Sequence, residues 1–168
     1  MSTSELQVRV HPITVWDIDN LLSLDQTLRE SDVSLTYNGF SPIHQAFSMN
    51  IGEDSSSKRL NLSVVKGLIE LGFIAESEGT LVGFIVGRQT YLTEYDTQVG
   101  EIAMIGVNRD YRGKGIGTKL INALNDLFRS RGVNRVRTGI NPSDKDLLAF
   151  FDKEGFSGER ILYYSKTL

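Results

Sequence analysis

Apolar and polar residues along this chain follow two periodicities, one typical of strands and one typical of helices. Short alternating or apolar runs predict strands over residues 7–10, 73–76, 81–91, 101–107, 134–140 and 156–168. Apolar residues at helical spacing predict helices over residues 14–28, 60–71, 120–131 and 143–154. The predicted order is β-α-α-β-β-β-α-β-α-β, which indicates a mixed α/β fold.

The ends of three predicted helices carry recognisable signals. Thr14 and Asp17 resemble a capping box that opens the first helix, with Trp16 expected on its inner side. Gly72 suits the position just after the second helix, where glycine often ends a helix. Ser143 suits the N-cap of the last helix. Residues 31–58 carry no pattern that predicts an element.

The composition is that of an ordinary globular protein, and it excludes several chemistries. The chain has 168 residues and a net charge of −3, which favour one domain over residues 1–168 and argue against a nucleic-acid partner. There is no cysteine, so disulfides and a cysteine nucleophile are excluded, and two distant histidines predict no metal site. The polar first residues and the lack of a long apolar run predict a cytoplasmic protein without a membrane partner, either monomer or homodimer.

The most informative segment joins a predicted strand to a predicted helix and reads N-R-D-Y-R-G-K-G-I-G-T-K-L over residues 108–120. A glycine turn before a helix points backbone N–H groups and the positive end of the helix dipole at one place. Glycine also allows a positive φ and close approach of a ligand. Arginine and lysine side chains add positive charge. The segment is therefore predicted to bind an anion, most simply a pyrophosphate.

The spacing of this segment narrows the class of ligand that would carry the pyrophosphate. A P-loop would need Ser or Thr after Gly-Lys, and a dinucleotide loop would need glycine where Thr118 stands. The remaining pattern, R-x-x-G-x-G from Arg112 to Gly117, resembles the coenzyme A loop of the GNAT family of N-acetyltransferases. A glycine turn that only links a strand to a helix is the alternative.

A second segment strengthens this resemblance. The family commonly reads N-P-x-N-x-x-A-x-x-x-Y-x-K-x-G-F, and residues 141–156 read N-P-S-D-K-D-L-L-A-F-F-D-K-E-G-F. Asp144 and Leu147 depart from the pattern, and Phe151 stands in place of the usual Tyr. The same segment also reads as a plain capped amphipathic helix, and both interpretations can hold together.

The resemblance covers nearly the whole chain and implies a fold, a cosubstrate and a set of contacts. The implied fold is a mixed, mostly antiparallel twisted sheet of about six or seven strands, flanked by about four helices, with a splayed parallel strand pair. The implied reaction moves an acetyl group from acetyl-CoA to a primary amine of a protein or small molecule by direct attack, without a metal. The implied coenzyme A contacts are Ile105, Gly106, Val107, Arg112, Gly113, Lys114, Gly115, Ile116, Gly117, Thr118, Asn141 and Phe150.

Proton removal from the attacking amine requires a base, and Glu101 is the candidate. It lies eleven residues before Arg112, the spacing at which histone-type members of the family carry a general-base glutamate. Strand alternation predicts that Glu101 shares a face with Ala103 and Ile105, among apolar neighbours. The alternative is a solvated glutamate at the edge of a strand.

Protonation of the coenzyme A thiolate is less clearly assigned. Phe151 cannot donate a proton. Tyr111, Tyr163 and Tyr164 are other candidates, and water is sufficient for a thiol of near-neutral pKa. Phe151 also supports a second hypothesis, a catalytically silent module that binds acyl-CoA. A third is an unrelated nucleotide-binding domain.

The sequence does not identify the amine that accepts the acetyl group. Residues 31–58 and 91–99 are expected to select it.

Overall fold

The computed structural model describes residues 7–30, 62–93 and 96–159. Their strands are β1 Val8–Pro12, β2 Gly72–Ser77, β3 Thr80–Leu92, β4 Thr97–Val107 and β5 Val136–Arg137. Their α-helices are α1 Ile18–Glu30, α2 Leu62–Glu70, α3 Ile116–Ser130 and α4 Lys145–Lys153. The predicted element order is confirmed as far as α4. Residues 31–58, and residues 160–168 of the predicted final strands, lie outside the described residues, and residues 156–159 are not a strand.

The strands form one sheet in the order β1-β2-β3-β4-β5. The first four strands are antiparallel, and β5 pairs with β4 in parallel. The expected mixed, mostly antiparallel sheet with a parallel pair is confirmed, with five strands in the part of the chain that the structure describes. The polar loop before β4 is shorter than the sequence indicates, because β4 already begins at Thr97.

Each face of the sheet carries its own apolar core. Helices α1 and α2 cover one face, with a core that includes Leu28, Phe84 and Met104. Helices α3 and α4 cover the other face, with a core that includes Ile102 and Phe128. Since both faces are buried, a side chain on β3 or β4 belongs to one core or the other according to its register.

A β-bulge in β4 decides which face each residue joins. Met104 pairs with Val86 and Ile102 pairs with Gly87, so Ala103 is one extra residue in β4. Ile102 and Ile105 therefore lie in the same core, while Met104 lies in the other. The predicted shared face of Glu101 and Ile105 is wrong, because the prediction assumed an unbroken alternation.

Two predicted helix starts and one predicted core position are also wrong. The Thr14–Asp17 capping box is present, but it opens a short 3₁₀ turn, which leaves Trp16 88% exposed before α1 begins at Ile18. Helix α2 ends at Glu70, just before Gly72 as predicted, but Gly72 has no positive φ and starts β2. Asp144, not Ser143, caps α4, because its carboxylate accepts a hydrogen bond from the Leu147 N–H at 3.0 Å.

Gly72 instead allows α2 and Ile13, the residue after β1, to lie close to the start of β2, which gives a stability prediction. A Cβ at Gly72 would lie 2.3 Å from the Leu68 carbonyl oxygen and 2.4 Å from Ile13 Cδ1. Gly72→Ala should therefore lower the free energy of unfolding by about 1–3 kcal/mol. Gly67→Ala is the control, because its Cβ would meet nothing within 4 Å and alanine favours helix. Urea denaturation in which both variants match the parent would contradict this account.

Across residues 7–30, 62–93 and 96–159, no helix combines the length and the apolar character that crossing a bilayer requires. The same ranges contain no group of three histidine or acidic side chains placed to hold a metal ion.

Candidate active site

Strands β4 and β5 pair over two residues and then part. Gly100 pairs with Val136 and Glu101 pairs with Arg137, and the Gly100 N–H donates to the Arg135 carbonyl at 2.8 Å. The next carbonyl of β4, that of Ile102, accepts from the Thr138 hydroxyl at 3.1 Å instead of from a backbone N–H. Strand β4 continues to Val107, so in the part of the chain that the structure describes a gap opens beside its second half. This is the splayed parallel pair that the resemblance implies.

The backbone of β4 presents N–H groups to this gap. The Asn108 N–H donates to the Val82 carbonyl at 2.8 Å. The even-numbered residues of β4 after the bulge therefore point their N–H groups at β3. The N–H groups of Ile105 and Val107 consequently point the other way, into the gap. Without the extra residue Ala103, these two groups would face β3.

The glycine segment connects the end of β4 to α3. A short 3₁₀ turn, Arg109–Tyr111, precedes Gly113 and Gly115, whose φ angles are 71° and 75°. Gly115 is the N-cap of α3, so the first N–H groups of that helix lie without intrahelical partners next to the loop. The loop has the left-handed glycines and the helix start that anion binding requires.

Two cations of this loop contact loop carbonyl oxygens. Arg112 Nε donates to the Val107 carbonyl at 3.0 Å, and Lys114 Nζ donates to the Asp110 carbonyl at 3.0 Å. Lys114 also lies over the ring of Tyr111, 5.2 Å from its centroid. These contacts hold the loop in shape while the positive charge remains near the helix N-terminus.

Gly106 and Gly117 have a packing role that the sequence does not reveal. A Cβ at Gly117 would lie 2.8 Å from Cζ of Phe150, which places that aromatic ring against the first turn of α3. A Cβ at Gly106 would lie 2.6 Å from Cδ1 of Leu28 on α1. Neither glycine has a positive φ. Both are small because another element packs closely against them.

The remaining predicted contacts are placed as follows. Ile116 is buried in the core beside α3. The Thr118 hydroxyl donates to Glu154 at 2.6 Å, which joins the N-terminus of α3 to the end of α4. The Asn141 side-chain oxygen accepts from the Ser143 N–H at 2.9 Å, so this side chain shapes the turn before α4. Apart from Asn141, all predicted contacts lie on the second half of β4, on the glycine loop and first turn of α3, or, for Phe150, against that turn.

Glu101 lies where the two strands part, and its surroundings are not apolar. The residue is 7% exposed. One carboxylate oxygen accepts from Arg88 on β3, and the other accepts from Nε of Arg137 at 3.3 Å and lies 3.2 Å from its Nη2. The expectation of apolar neighbours is wrong because the bulge turns Glu101 away from Ile105. The two arginines were not identified from the sequence as partners of Glu101. The signal that points to them is Glu101 itself, a charged residue inside a strand that is otherwise largely buried.

The tyrosine candidates for proton donation are few. Phe151 is fully buried in the core of the α3 face, where its ring packs edge-on against Phe150 and Phe156. Tyr111 packs against the same core, and Tyr163 and Tyr164 lie outside the described residues. A hydrogen bond to Asp96, with a smaller effect of burial, raises the pKa of Tyr91 above its ordinary value, so this hydroxyl holds its proton more firmly.

The sequence and the fold were compared with known proteins. The profile of the Acetyltransferase (GNAT) family matches residues 45–156. N-alpha-acetyltransferase 30 of Schizosaccharomyces pombe is 29% identical over 94 residues, which cover 56% of this chain and 62% of that protein. An uncharacterized N-acetyltransferase of Methanocaldococcus jannaschii is 31% identical over 91 residues, 54% of this chain and 40% of that protein. The matches thus span less than two thirds of either relative.

A solved structure resembles the whole fold. An aminoglycoside N-acetyltransferase in complex with coenzyme A superimposes with a TM-score of 0.71, covering 100% of both chains at 16% sequence identity. At this identity the likeness concerns the fold alone. It extends over the sheet and the flanking helices that build the gap described above.

Proposed function

The chain belongs to the acetyltransferase (GNAT) family, and from this we propose that it transfers an acetyl group from acetyl-CoA to a primary amine. The observation that carries the proposal is the open gap between β4 and β5 directly before a glycine loop and a helix N-terminus. Among the residues that the structure describes, no strand pairs with the second half of β4 on the side of the gap, and the loop offers a helix N-terminus that suits an anion. A long ligand with a pyrophosphate at one end fits both.

The proposed roles of the loop and the strand follow from their geometry. The backbone from Gly113 to Thr118 would hold the pyrophosphate at the N-terminus of α3. The Ile105 and Val107 N–H groups would bind the pantetheine arm and the thioester oxygen, because a strand without a neighbour can pair with an extended ligand. Phe150 would contact the ligand beside Gly117, and Asn141 would shape the turn nearby.

The reaction is a direct acyl transfer. The amine nitrogen attacks the thioester carbon and the carbon–sulfur bond breaks. Negative charge on the thioester oxygen is stabilised by a backbone N–H such as that of Ile105. The sulfur leaves as the coenzyme A thiolate and takes a proton from water. The nitrogen loses its proton to a base, and the product is an amide.

Glu101 is the proposed base, acting through water. Glu101 and Ile105 pair with Arg88 and Ile85, three residues apart on β3. At about 3.4 Å per residue, roughly 10 Å separate their backbones. A glutamate side chain does not span that distance, so at least one water must carry the proton. The two arginines keep the carboxylate fixed at the mouth of the gap.

The class of amine that accepts the acetyl group is the more specific part of the proposal. One relative bears the name of an N-alpha-acetyltransferase, and the solved structure is that of an aminoglycoside N-acetyltransferase. We therefore include protein N-termini and small amines among the candidate acceptors. The second candidate function, a silent acyl-CoA-binding module, is favoured by Phe151, because the position that carries Tyr in many members is a buried Phe here.

The test measures release of free coenzyme A from acetyl-CoA, with a panel of peptide N-termini, lysine peptides, polyamines and aminoglycosides. Thermal shifts with acetyl-CoA, coenzyme A and ATP are recorded in parallel. An amine-dependent release with an acetyl-CoA shift supports the transferase. A shift without release on any amine supports the binding module, and a shift with ATP alone would refute both.

A further inference from the structure

Arg88, Glu101 and Arg137 form a charged cluster at the start of the gap, here called the arginine cluster. We infer that this cluster binds a carboxylate on the acceptor molecule and so selects amines that carry an acidic group several bonds from the nitrogen. The inference rests on the proposed function and deepens it, because it names the chemistry of the acceptor.

The charge of the cluster is unbalanced. Among the described residues, the Glu101 carboxylate is the acidic group that contacts both guanidinium groups, and it supplies one negative charge for two positive charges. Arg88 uses Nη2 for this contact, and Arg137 uses Nε and Nη2. Within the described ranges, the other nitrogens of both groups have no acidic partner and remain for a second anion, and planar guanidinium groups match the geometry of a carboxylate. The cluster thus has a net positive charge and donors to spare.

The cluster is reachable from solvent even though its centre is buried. The side chains of Arg88 and Arg137 are 56% and 30% exposed, while that of Glu101 is 9% exposed. The buried carboxylate orients the two guanidinium groups, and their outer edges face the solvent. Two arginines oriented by a shared buried carboxylate form a preorganised site, unlike arginines that move freely on a surface.

The location of the cluster suits an acceptor rather than acetyl-CoA. Gly100 faces α3, since a Cβ there would lie 2.7 Å from the ring of Phe128. Its neighbour Glu101 points to the opposite face of the sheet, that of α1. Helix α3, whose N-terminus is proposed to hold the pyrophosphate, packs on the other face. An acceptor bound at the cluster therefore reaches the gap from the face opposite to α3.

The spacing defines the acceptor further. The cluster lies roughly 10 Å along the sheet from Ile105, at about 3.4 Å per residue. An amine in the gap and a carboxylate on the arginines must then be several bonds apart, further than in an α-amino acid. A peptide with an acidic second residue meets this condition, and so does a small ω-amino acid.

The experiment compares acceptors that differ only in the carboxylate. The pairs are 6-aminohexanoate with 6-aminohexanamide, the peptide amide Ser-Glu-Ala-Ala with Ser-Gln-Ala-Ala, and alanine with alaninamide. The parent enzyme should prefer the acid of one of the first two pairs by about tenfold in kcat/KM, because charge-assisted hydrogen bonds are strong. The alanine pair should show no such preference. The pair that responds tells whether the acceptor is a peptide or a small molecule.

Variants test whether the two arginines cause the preference for the acid. Arg88→Gln and Arg137→Gln should each reduce the acid-to-amide ratio towards one through KM, and Arg88→Lys should retain part of it. Arg129→Gln is the matched control, because Arg129 forms an exposed pair with Asp126 on α3. Raised salt should weaken the preference in the parent enzyme.

The outcomes separate this inference from the proposed function. Equal rates on the acid and amide of both longer pairs, or a preference that survives in both glutamine variants, would overturn the inference and leave acetyl transfer intact. A lack of transfer to any amine would overturn the proposed function and this inference with it. If the glutamine variants fail to fold by circular dichroism, the paired measurements on the parent enzyme still decide between the outcomes.

Discussion

Gly115→Val should abolish acetyl-CoA binding while the protein stays folded. Gly115 has a φ of 75° at the N-cap of α3, where a β-branched residue is strongly disfavoured. A Cβ at Gly115 would meet nothing within 4 Å, so the backbone angle, not crowding within the protein, makes glycine necessary. The strain of about 1–3 kcal/mol should be relieved by a change in the loop, which would turn its N–H groups away from the pyrophosphate. Isothermal calorimetry with acetyl-CoA measures the loss.

Gly79→Val is the matched control for this variant. Gly79 also has a φ of 75° and open space around its Cβ position, but it lies in the turn between β2 and β3. It should lose similar stability and keep its acetyl-CoA affinity. Gly115→Asn should retain more affinity than Gly115→Val, because asparagine tolerates a positive φ. Unchanged affinity in a folded Gly115→Val protein would remove the basis of the proposed coenzyme A site.

Glu101→Gln should lower kcat by about 10²–10⁴, the usual contribution of general-base assistance. Glutamine preserves the shape of the side chain but cannot take the proton of the amine. The affinity for acetyl-CoA should barely change, since Glu101 faces away from α3 and its N-terminal loop. The deficit should shrink as the pH rises, because more of the amine is then free without help. Steady-state kinetics from neutral to alkaline pH measure this trend.

A purely structural role for Glu101 predicts a different result. Glutamine would leave Arg88 and Arg137 without their shared counter-charge, which could loosen β5 and lower the free energy of unfolding. A loss of that origin would be independent of pH and would be shared by Arg137→Gln. If Glu101→Gln keeps nearly full kcat at neutral pH on the true acceptor, the base is water or a carboxylate of the β3–β4 turn. Asp96 is the described candidate there, and Glu94 lies outside the described residues.

Much of the fold follows from local sequence. The order of elements through α4 was predictable, because hydrophobic periods of two and 3.6 residues report directly on strands and helices. The mostly antiparallel sheet with a parallel strand pair was implied by the resemblance to the family. The membership in the GNAT family was predictable from two segments of fixed spacing, the glycine loop and residues 141–156. The residues proposed to contact coenzyme A stay predictions.

The errors in the fold have two kinds of cause. Trp16 fits a helix pattern but is exposed, because the capping box of Thr14 and Asp17 opens a 3₁₀ turn, which is a local effect. Gly72 reads as a helix end, but its lack of a Cβ admits Ile13 of another segment. That contact is not encoded in the neighbours of Gly72 along the chain.

The sequence by itself determined the elements, the family and the glycine loop, since each depends on residues that are close together in the chain. The tertiary structure alone decided what surrounds Glu101. One extra residue at Ala103 reverses the alternation of β4, turns the Ile105 and Val107 N–H groups into the gap and puts Glu101 on the other face. A bulge is defined by the pairing of two strands, and Arg88 and Arg137 lie 13 and 36 residues from Glu101. Only the folded sheet brings these three charges together.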